Sequence, residues 1–419
     1  MGSFAVQGTG RSPELYEARL REMRRLAGRL ARCKEELARA GAEDAGFPVR
    51  ITSAEVDLAV DYLQTMECEV PWIQGSQPYG TVAAIFPYDA PAVMLGRLGG
   101  ASLLTGNRLR FTFSSWSRRT AVLLAEIASN FHGLEPVVGT DNRTFGQRCV
   151  TEEAVRVLFI SGASAVGEAY RRQRDGFDKV FFAGPSGMPA AVIFADANPD
   201  AAARFIARRA FINGGQYCTT LKKALIHESR YEQVRRGVLD WVGRLRVGDP
   251  FDPETHIGPI RVERTRLLLQ TAMEQLRGTV LVSGGIDGEW VHPLVLETGG
   301  EIPDLELFGP VLVLKPFRHA EDSVRELIQT RYGFLLAYFG SPPEDALPSF
   351  HEHFGMVLDN PDFLFMPLRV PFGGRKASGW ILERQGDSWV ERDGAFIYSK
   401  ELARGVPVAA ALREGTPER

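Results

Sequence analysis

The sequence predicts an α/β fold in which parallel β-sheets carry helices on both faces, and two observations support this. Short apolar runs with the composition of buried strands recur along the chain, and segments of helical periodicity separate them. Parallel strands need long crossover connections, so a regular alternation of strand and helix is typical of this class. A chain of 419 residues is long enough for two or three domains with sizeable cores.

Helices are expected first. Pro13 fits the first turn of an amphipathic helix that runs to about residue 41, in which Leu and Ala alternate with Arg and Glu. A second helix is predicted to begin at Thr52, because Glu55 three residues later would complete a capping box. The many charges of residues 19–32 are explained by a solvated helix face.

Strand-like and helical segments then alternate. The first sheet is predicted from apolar runs at residues 81–86, 109–113, 155–160 and 179–182. A second unit begins with a strand at 190–194 and a helix at 200–212, and its α/β pattern continues to about residue 360. The polar tail at 407–419 is expected to be disordered.

Composition excludes several classes of protein. A net charge of −3 offers no broad attraction to nucleic acid or to acidic membranes. The scattered cysteines Cys33, Cys68, Cys149 and Cys218 form no CxxC pair, which argues against a zinc site or a disulfide framework. His351 and His353 have no third ligand nearby, so no metal is predicted. With no signal peptide and no run of about 20 apolar residues, a cytoplasmic location is expected.

Cys218 is the most informative residue. It follows Asn213-Gly-Gly-Gln-Tyr217, where small residues would give access to the thiol, and Asn213 and Gln216 could donate hydrogen bonds to an oxyanion. On these residues alone, a catalytic cysteine and a buried structural cysteine both remain open.

Three other motifs are ambiguous when taken singly. Gly162 and Gly167 lie between a strand and a helix, where they could admit a cofactor phosphate or simply form a tight turn. The glycine-rich segment 371–379, with Arg375 and Lys376, could cradle a phosphate or be a surface loop. Glu306, in Leu305-Glu-Leu-Phe-Gly-Pro310, could accept two ribose hydroxyls or be solvated.

Together these motifs resemble those of the aldehyde dehydrogenase superfamily, from about Tyr79 to Leu402. The cysteine motif, segment 247–259, the Glu306 motif, loop 371–379 and the Gly162–Gly167 turn follow the family's order and spacing. The resemblance implies two Rossmann-like parallel-sheet domains, for cofactor and catalysis, with a small oligomerisation strand. It also implies an NAD(P)-dependent oxidoreductase in which a Cys218 thiolate attacks an aldehyde and forms an acyl-enzyme.

The resemblance also assigns residues. Catalytic roles fall on Cys218, Asp89, Asn213 and Gln216. Binding of NAD or NADP falls on Phe86, Pro87, Thr112, Ser161, Gly162, Ser164, Val166, Gly167, Glu306 and Phe308. The implied divisions are residues 1–186 for N-terminal helices and cofactor domain, 187–370 for the catalytic domain, 371–406 for a returning segment and 407–419 for the tail. Residues 396–402 resemble the edge strand with which family members pair, so a homodimer or homotetramer is expected.

The chain departs from the family at positions that matter. The glutamate that usually activates water falls on Gly184, which can do no acid–base work. The asparagine that donates to the oxyanion falls on Asp89, which could donate only when protonated. The lysine that contacts the adenosine ribose falls on Thr112, and Ser115 stands where an acidic residue is common.

Three interpretations follow from these departures. The first has a thiol, coenzyme A or a carrier-protein arm, as acyl acceptor or donor, since family members with thioester substrates often lack the glutamate. In the second, another carboxylate supplies the base, and the enzyme converts an aldehyde to a carboxylate. In the third, the chain is a catalytically silent homologue that serves as a binding or scaffold protein.

Overall fold

The computed structural model describes residues 13–162, 164–172, 176, 178–184 and 187–405. The helices are α1 (Pro13–Arg32), α2 (Lys34–Ala45), α3 (Val49–Gln64), α4 (Val70–Ile73), α5 (Pro91–Met94), α6 (Gly100–Thr105), α7 (Arg118–Ala128), α8 (Asn142–Thr151), α9 (Ser164–Arg171), α10 (Pro199–Phe211), α11 (Glu228–Val242), α12 (Glu263–Met273), α13 (Ala320–Gln329), α14 (Ala346–His353) and α15 (Tyr398–Glu401). The strands are β1 (Gln77–Pro78), β2 (Thr81–Phe86), β3 (Arg108–Phe113), β4 (Leu134–Pro136), β5 (Val155–Ile160), β6 (Val180–Ala183), β7 (Ala190–Ile193), β8 (Lys223–His227), β9 (Thr279–Val282), β10 (Ile286–Asp287), β11 (Trp290–Val291), β12 (Leu294–Glu297), β13 (Val311–Phe317), β14 (Tyr332–Gly333), β15 (Leu335–Phe339), β16 (Met356–Asp359), β17 (Arg375–Lys376), β18 (Trp380–Gln385), β19 (Ser388–Asp393) and β20 (Ala403–Arg404). Shorter helical turns occur at Met66–Glu69, Leu95–Gly99 and Ile212–Gly215.

The first large sheet has the strand order β19-β18-β6-β5-β2-β3-β4. Its strands β2 to β6 are parallel, and β18 and β19 extend it antiparallel beyond β6. The predicted strands at 81–86, 109–113, 155–160 and 179–182 all lie here, within one residue of the expected bounds. They were predictable because their side chains are buried almost throughout, which produces the apolar runs.

The second large sheet has the order β16-β15-β7-β8-β13-β12-β9, and only β9 is antiparallel to its neighbour. Strand β7 and helix α10 confirm the predicted strand at 190–194 and the predicted helix at 200–212. Residues 212–222 connect α10 to β8, so the Cys218 loop sits beside the centre of this sheet. Two parallel-rich sheets confirm the predicted fold class.

Two expectations for the N-terminal helices were wrong. The predicted single helix is broken at Cys33, which lets α1 pack on α6 while α2 packs on α7, and both contact α3. Helix α3 begins at Val49, directly after Pro48, so the predicted capping box does not form. Instead the Thr52 hydroxyl donates to the Ala38 carbonyl, 3.1 Å away, and Glu55 is buried and points to the cysteine loop.

The edge strand predicted at residues 396–402 was also wrong. Tyr398–Glu401 forms the short helix α15, and Phe396 makes an isolated bridge to Phe372. The rings of Phe396 and Tyr398 pack on Phe159, because this segment completes the core of the first sheet rather than lying at its edge. The edge strand on this side is β19. The predicted disordered tail at 407–419 lies outside the described residues. Among the residues that the structure describes, no helix is long and apolar enough to cross a membrane.

Candidate active site

A strained turn places Cys218. Asn213, Gly214 and Gly215 have φ values of 50°, 59° and 71°, in the left-handed region. Glycine adopts this conformation at little cost and asparagine tolerates it better than most residues, which explains the composition of the motif. A Cβ on Gly215 would collide with the Gly309 carbonyl, so the cysteine loop lies directly against the segment that carries Glu306 and Phe308.

A buried lysine joins these two segments. The Lys222 Nζ donates to the Gly215 carbonyl at 2.9 Å and to the Gly309 carbonyl at 2.7 Å. Burial, reinforced by the charge of Arg209, holds the pKa of Lys222 well below its usual range. Two carbonyl acceptors compensate part of the cost of burying an ammonium group. Lys222 therefore fixes the distance between the cysteine loop and the Glu306 segment.

Arg209 supports the other side of Cys218. Its guanidinium donates to the Leu364 carbonyl at 2.5 Å and to the Thr219 carbonyl and hydroxyl at 2.9 and 2.7 Å. The side chain is buried, and burial lowers the pKa of Arg209 to about 10. Its charge also favours a thiolate on Cys218. Arg209 thus orients Thr219, the residue that follows Cys218, and brings a positive charge close to that cysteine.

Cys218 itself is half-buried and free. Burial raises the pKa of the Cys218 thiol strongly, and the charge of Asp89 raises it further, while Arg97 and Arg209 act in the opposite direction. The thiol is therefore protonated near neutral pH, and a nucleophilic role requires a group that removes its proton.

Asp89 lies on the turn between β2 and α5, and its side chain is buried. Burial raises the pKa of Asp89 to about 7, although hydrogen bonds from the main-chain N–H groups of Asp89 and Ala90 favour the carboxylate. The carboxyl group therefore changes protonation state near neutral pH. That places a titrating acid within electrostatic reach of Cys218.

Aromatic hydroxyls connect this turn and helix α3 to the cysteine loop. The Tyr88 hydroxyl lies 3.4 Å from Gln216 Oε1 and 3.0 Å from Thr265 Oγ1. Tyr217 donates to the Glu55 carboxylate, and burial raises the pKa of Glu55 well above its usual range. Side chains from α3 and from the 87–91 turn thus contact the two residues before Cys218, and Thr265 from α12 holds Tyr88 in place.

The two predicted amide donors, Asn213 and Gln216, differ in their hydrogen bonding. Asn213 is buried, and its side-chain amide has no hydrogen-bond partner in the described part of the chain. An unpaired buried amide is costly, and a substrate oxygen would satisfy it. The Gln216 amide is already engaged, since its Nε2 donates to the Asn213 carbonyl at 3.4 Å. Asn213 is therefore the better candidate for an oxyanion donor.

Gly184 leaves no room for a catalytic side chain. It lies at the end of β6, where a Cβ would stand 2.8 Å from the Ile160 carbonyl oxygen and 2.9 Å from Ser161 Cα. Both are main-chain atoms, which cannot move aside as a flexible side chain can. The family's glutamate is thus excluded by packing here as well as by sequence. Pro185 and Ser186 lie outside the described residues.

The predicted cofactor residues divide into two groups. Phe86 and Thr112 are buried in the first sheet, so only their main chain could reach a cofactor. The Ser161 hydroxyl donates to the Ile85 carbonyl at 2.6 Å, Gly162 is exposed with open space around it, and Ser164 begins α9. Gly167 is buried against Ala183 and Trp380. The remaining members are exposed or half-buried: Pro87, Val166, Glu306 and Phe308.

Two of these residues lie next to the cysteine loop. Phe308 packs edge-on against Tyr88, with ring centroids 6.2 Å apart. Glu306 is half-buried and accepts a hydrogen bond from the Tyr332 hydroxyl at 3.4 Å. In the 371–379 loop, Arg375 pairs with Asp393 and Lys376 donates to main-chain carbonyls, so both cations are already engaged with the protein.

The sequence interpretation missed Arg97. This residue is only 3% exposed, and its guanidinium lies over the ring of Phe372, 4.6 Å from the centroid, and 6.0 Å from that of Tyr398. Its Nε and Nη2 have no hydrogen-bond partner among the residues that the structure describes. A lone arginine in the apolar stretch 92–104 was the signal that could have revealed it.

Comparison with known proteins shows to which family this chain belongs. The model of the aldehyde dehydrogenase family matches residues 14–392. The lactaldehyde dehydrogenase of Methanocaldococcus jannaschii is 27% identical over 390 residues, which cover 86% of this chain and 82% of that protein. The 3-sulfolactaldehyde dehydrogenase of Priestia aryabhattai is 24% identical over 405 residues, covering 90% and 83%.

Solved structures agree on the fold. The glyceraldehyde-3-phosphate dehydrogenase of Methanocaldococcus jannaschii, complexed with NADP, superposes with a TM-score of 0.77 at 23% identity, over 93% of this chain and 88% of that one. An aldehyde dehydrogenase of Physcomitrella patens, in complex with the reaction product succinate, gives a TM-score of 0.79 at 21% identity, over 93% and 84%. The chain belongs to the aldehyde dehydrogenase family, the NAD(P)-dependent oxidoreductases that act on aldehyde groups.

Proposed function

We propose that this protein oxidises a small aldehyde that carries an anionic group, through an acyl-enzyme on Cys218. The observation that carries the proposal is the buried guanidinium of Arg97, whose charge reaches Cys218 and whose Nε and Nη2 lack partners among the described residues. Aromatic rings and a hydrogen bond with the Tyr398 hydroxyl stabilise this cation only partly, and a buried charge without an anionic partner is costly. A carboxylate, sulfonate or phosphate on the substrate would satisfy it.

The relatives support this substrate class. Their names include 3-sulfolactaldehyde and glyceraldehyde-3-phosphate dehydrogenases, and one solved neighbour holds succinate as its product. Each of these compounds places an anion a few bonds from the reacting carbon. Lactaldehyde, which several relatives are named for, is equally small but uncharged. We therefore expect an anionic substituent to improve binding without being required for the chemistry.

NAD or NADP would supply the hydride acceptor for this oxidation. Glu306 and Phe308 lie beside the cysteine loop, and the exposed turn at Gly162 leaves open space where a main chain can approach a phosphate. These residues fit a nicotinamide cofactor. Thr112 supplies no charge for the adenosine ribose, so both cofactors are to be tested.

A thiol is the second candidate for the acyl acceptor, and Gly184 is the specific observation in its favour. Without a glutamate there, and with no room for one, activation of water requires another group. Coenzyme A or a carrier-protein arm reacts more readily than water with a thioester and would make the loss intelligible. Interconversion of an aldehyde and an acyl-thioester, in either direction, is the corresponding reaction.

The test is the appearance of reduced nicotinamide with lactaldehyde, 3-sulfolactaldehyde, succinic semialdehyde and propanal. Each aldehyde is offered with NAD and with NADP, with and without coenzyme A. A higher kcat/KM for the anionic aldehydes supports the proposal, and a requirement for coenzyme A establishes the thiol acceptor. No turnover of any aldehyde in any combination contradicts it and favours a silent homologue.

A homodimer or homotetramer is proposed as the assembly. Its support is the resemblance to family members that pair subunits, since residues 396–402 do not form the expected edge strand. The molar mass in solution, measured by light scattering, distinguishes these states from a monomer.

A further inference from the structure

We infer that Asp89 acts as the base for Cys218: its carboxylate takes the thiol proton and, as a carboxylic acid, then donates a hydrogen bond to the oxyanion. The first half of this inference concerns Cys218 alone. The second half rests on the proposed function, because it needs an aldehyde. The family residue at this position is an asparagine, which can donate a hydrogen bond but cannot accept the thiol proton.

The geometry brings Asp89 to the cysteine loop. Its neighbour Tyr88 contacts Gln216 at 3.4 Å and Thr265 at 3.0 Å, which docks the 87–91 turn beside the residues that precede Cys218. The carboxyl group is buried and held by two main-chain N–H groups. Burial and these main-chain hydrogen bonds are what shift its pKa, with no contribution from a lysine, arginine or histidine among the described residues. Asp89 is therefore a carboxyl group that is held in place but is not neutralised by a cation, so it can exchange a proton with Cys218.

The charged and titratable groups around Asp89 favour a state in which Asp89 and Cys218 together hold one proton. Its charge acts on Glu55 from α3, on Tyr88 from its own turn, and on Tyr217 and Cys218 from the cysteine loop. Arg97 and Arg209 oppose it on the side of Cys218. An ionised Asp89 raises the pKa of Cys218, so a carboxylate and a thiolate do not coexist readily. Below about pH 7 both groups are protonated; above it the stable arrangement is carboxylate with thiol, and carboxylic acid with thiolate is its less populated, reactive form.

Proton transfer between them balances without any further reactant. The S–H bond of Cys218 breaks and an O–H bond forms on Asp89, so the single negative charge of the pair passes from the carboxylate to the sulfur. The thiolate then forms a C–S bond to the aldehyde carbon, and the carbonyl electron pair moves to oxygen. The protonated Asp89 donates to that oxyanion together with the unpaired amide of Asn213. No atom is oxidised or reduced in this addition.

This role for Asp89 would supply the base that is lost with the family's glutamate. Gly184 cannot supply a base, whereas a carboxyl group with a pKa of about 7 is half-ionised at neutral pH and can both accept and donate. The substitution of asparagine by aspartate and the loss of glutamate are then two parts of one change. Once the proton taken from Cys218 has been released to solvent, the same carboxylate can accept the proton of the acyl acceptor.

The rate at which iodoacetamide alkylates Cys218, measured against pH, tests the inference without a substrate. Mass spectrometry of the peptide that contains Cys218 separates it from Cys33, Cys68 and Cys149. In the unmodified protein the rate should rise with pH and level off above about pH 7, where Asp89 is ionised. In D89N the plateau should disappear, and the rate at pH 7.5 should fall at least about tenfold.

Two outcomes would overturn the inference. One is a D89N profile that matches the unmodified protein. The other is faster alkylation in D89N near neutral pH, which is expected if Asp89 only repels the thiolate. D57N, the same change on an exposed face of α3, is the matched control and should leave the profile unchanged. If D89N does not fold, a profile without an inflection between about pH 6 and 8 in the unmodified protein contradicts the inference. Failure of aldehyde oxidation alone would instead count against the proposed function.

Discussion

At the scale of single residues, the active site is defined by groups whose burial is incompletely compensated. Arg97, Asn213 and Asp89 are all buried; Arg97 and Asn213 have polar atoms without a hydrogen-bond partner among the described residues, and Asp89 is held by main-chain N–H groups alone. Stable cores avoid such groups, and their concentration near one cysteine is typical of a site that a ligand completes. The nearby buried Glu55 differs, since Tyr217 satisfies it.

Replacing Arg97 by methionine should separate anionic from neutral aldehydes. Loss of a charge-assisted hydrogen bond costs about 1.5–3 kcal/mol, so KM for 3-sulfolactaldehyde should rise about 10- to 100-fold. KM for propanal should change little, because it has no group that binds the guanidinium. Steady-state kinetics on both substrates provides the measurement. An equal loss for both would show that Arg97 supports the fold of the pocket, and R97K should recover part of the difference.

Gly215 offers a second residue-scale prediction. Alanine there would meet the Gly309 carbonyl and would also have to adopt φ near 71°. G215A should therefore reduce turnover at least about 100-fold and lower the midpoint of thermal unfolding, since the loop must move. G75A is the matched control, because Gly75 has φ 80° but open space around it, so it carries the conformational cost alone. Similar effects in both variants would refute a special role for the Gly215–Gly309 contact.

At the scale of elements, tertiary contacts decide what the sequence could predict. Strands β2, β3, β5, β6 and β7 were predictable because both faces are buried, which leaves an apolar run. The cysteine loop was predictable because its backbone demands glycine and asparagine. Lys222 was not, since its partner Gly309 lies 87 residues away in sequence, and nothing local marks a lysine as buried. Glu55 was misassigned for the same reason.

Lys222 should act as a positioning residue between the cysteine loop and the Glu306 segment. K222M removes both hydrogen bonds and leaves two buried carbonyls unpaired, so the two segments should separate. We expect kcat to fall at least about tenfold and KM for the cofactor to rise, while the pH profile of Cys218 alkylation keeps its inflection. K315M, which removes a less buried lysine on β13, is the control. A lower thermal stability with unchanged kinetic constants would mean that Lys222 has a structural role alone.

At the scale of the whole molecule, the C-terminal segment ties the two sheets together. The chain leaves the second sheet at β16 and returns to the first as β18 and β19, and Phe372 from the connecting loop lies under Arg97. Phe396 then inserts between the rings of Phe182 and Tyr398, with centroids 5.3 and 5.0 Å away. The Arg97 site that we propose for the substrate anion and the core of the first sheet therefore share one continuous support.

Because of this shared support, a substitution at Phe396 that lowers stability should also affect substrate binding. F396A should cost about 3–5 kcal/mol through the cavity it leaves in the aromatic cluster, and it should lower the midpoint of thermal unfolding by several degrees. Because Tyr398 packs on both Phe396 and Arg97, the variant should also weaken binding of anionic aldehydes more than that of propanal. V390A, on the exposed side of β19, should change neither property. Loss of stability with an unchanged preference for anionic aldehydes would show that the pocket is held independently of the C-terminal segment, and that the two sheets are coupled only through the cysteine loop.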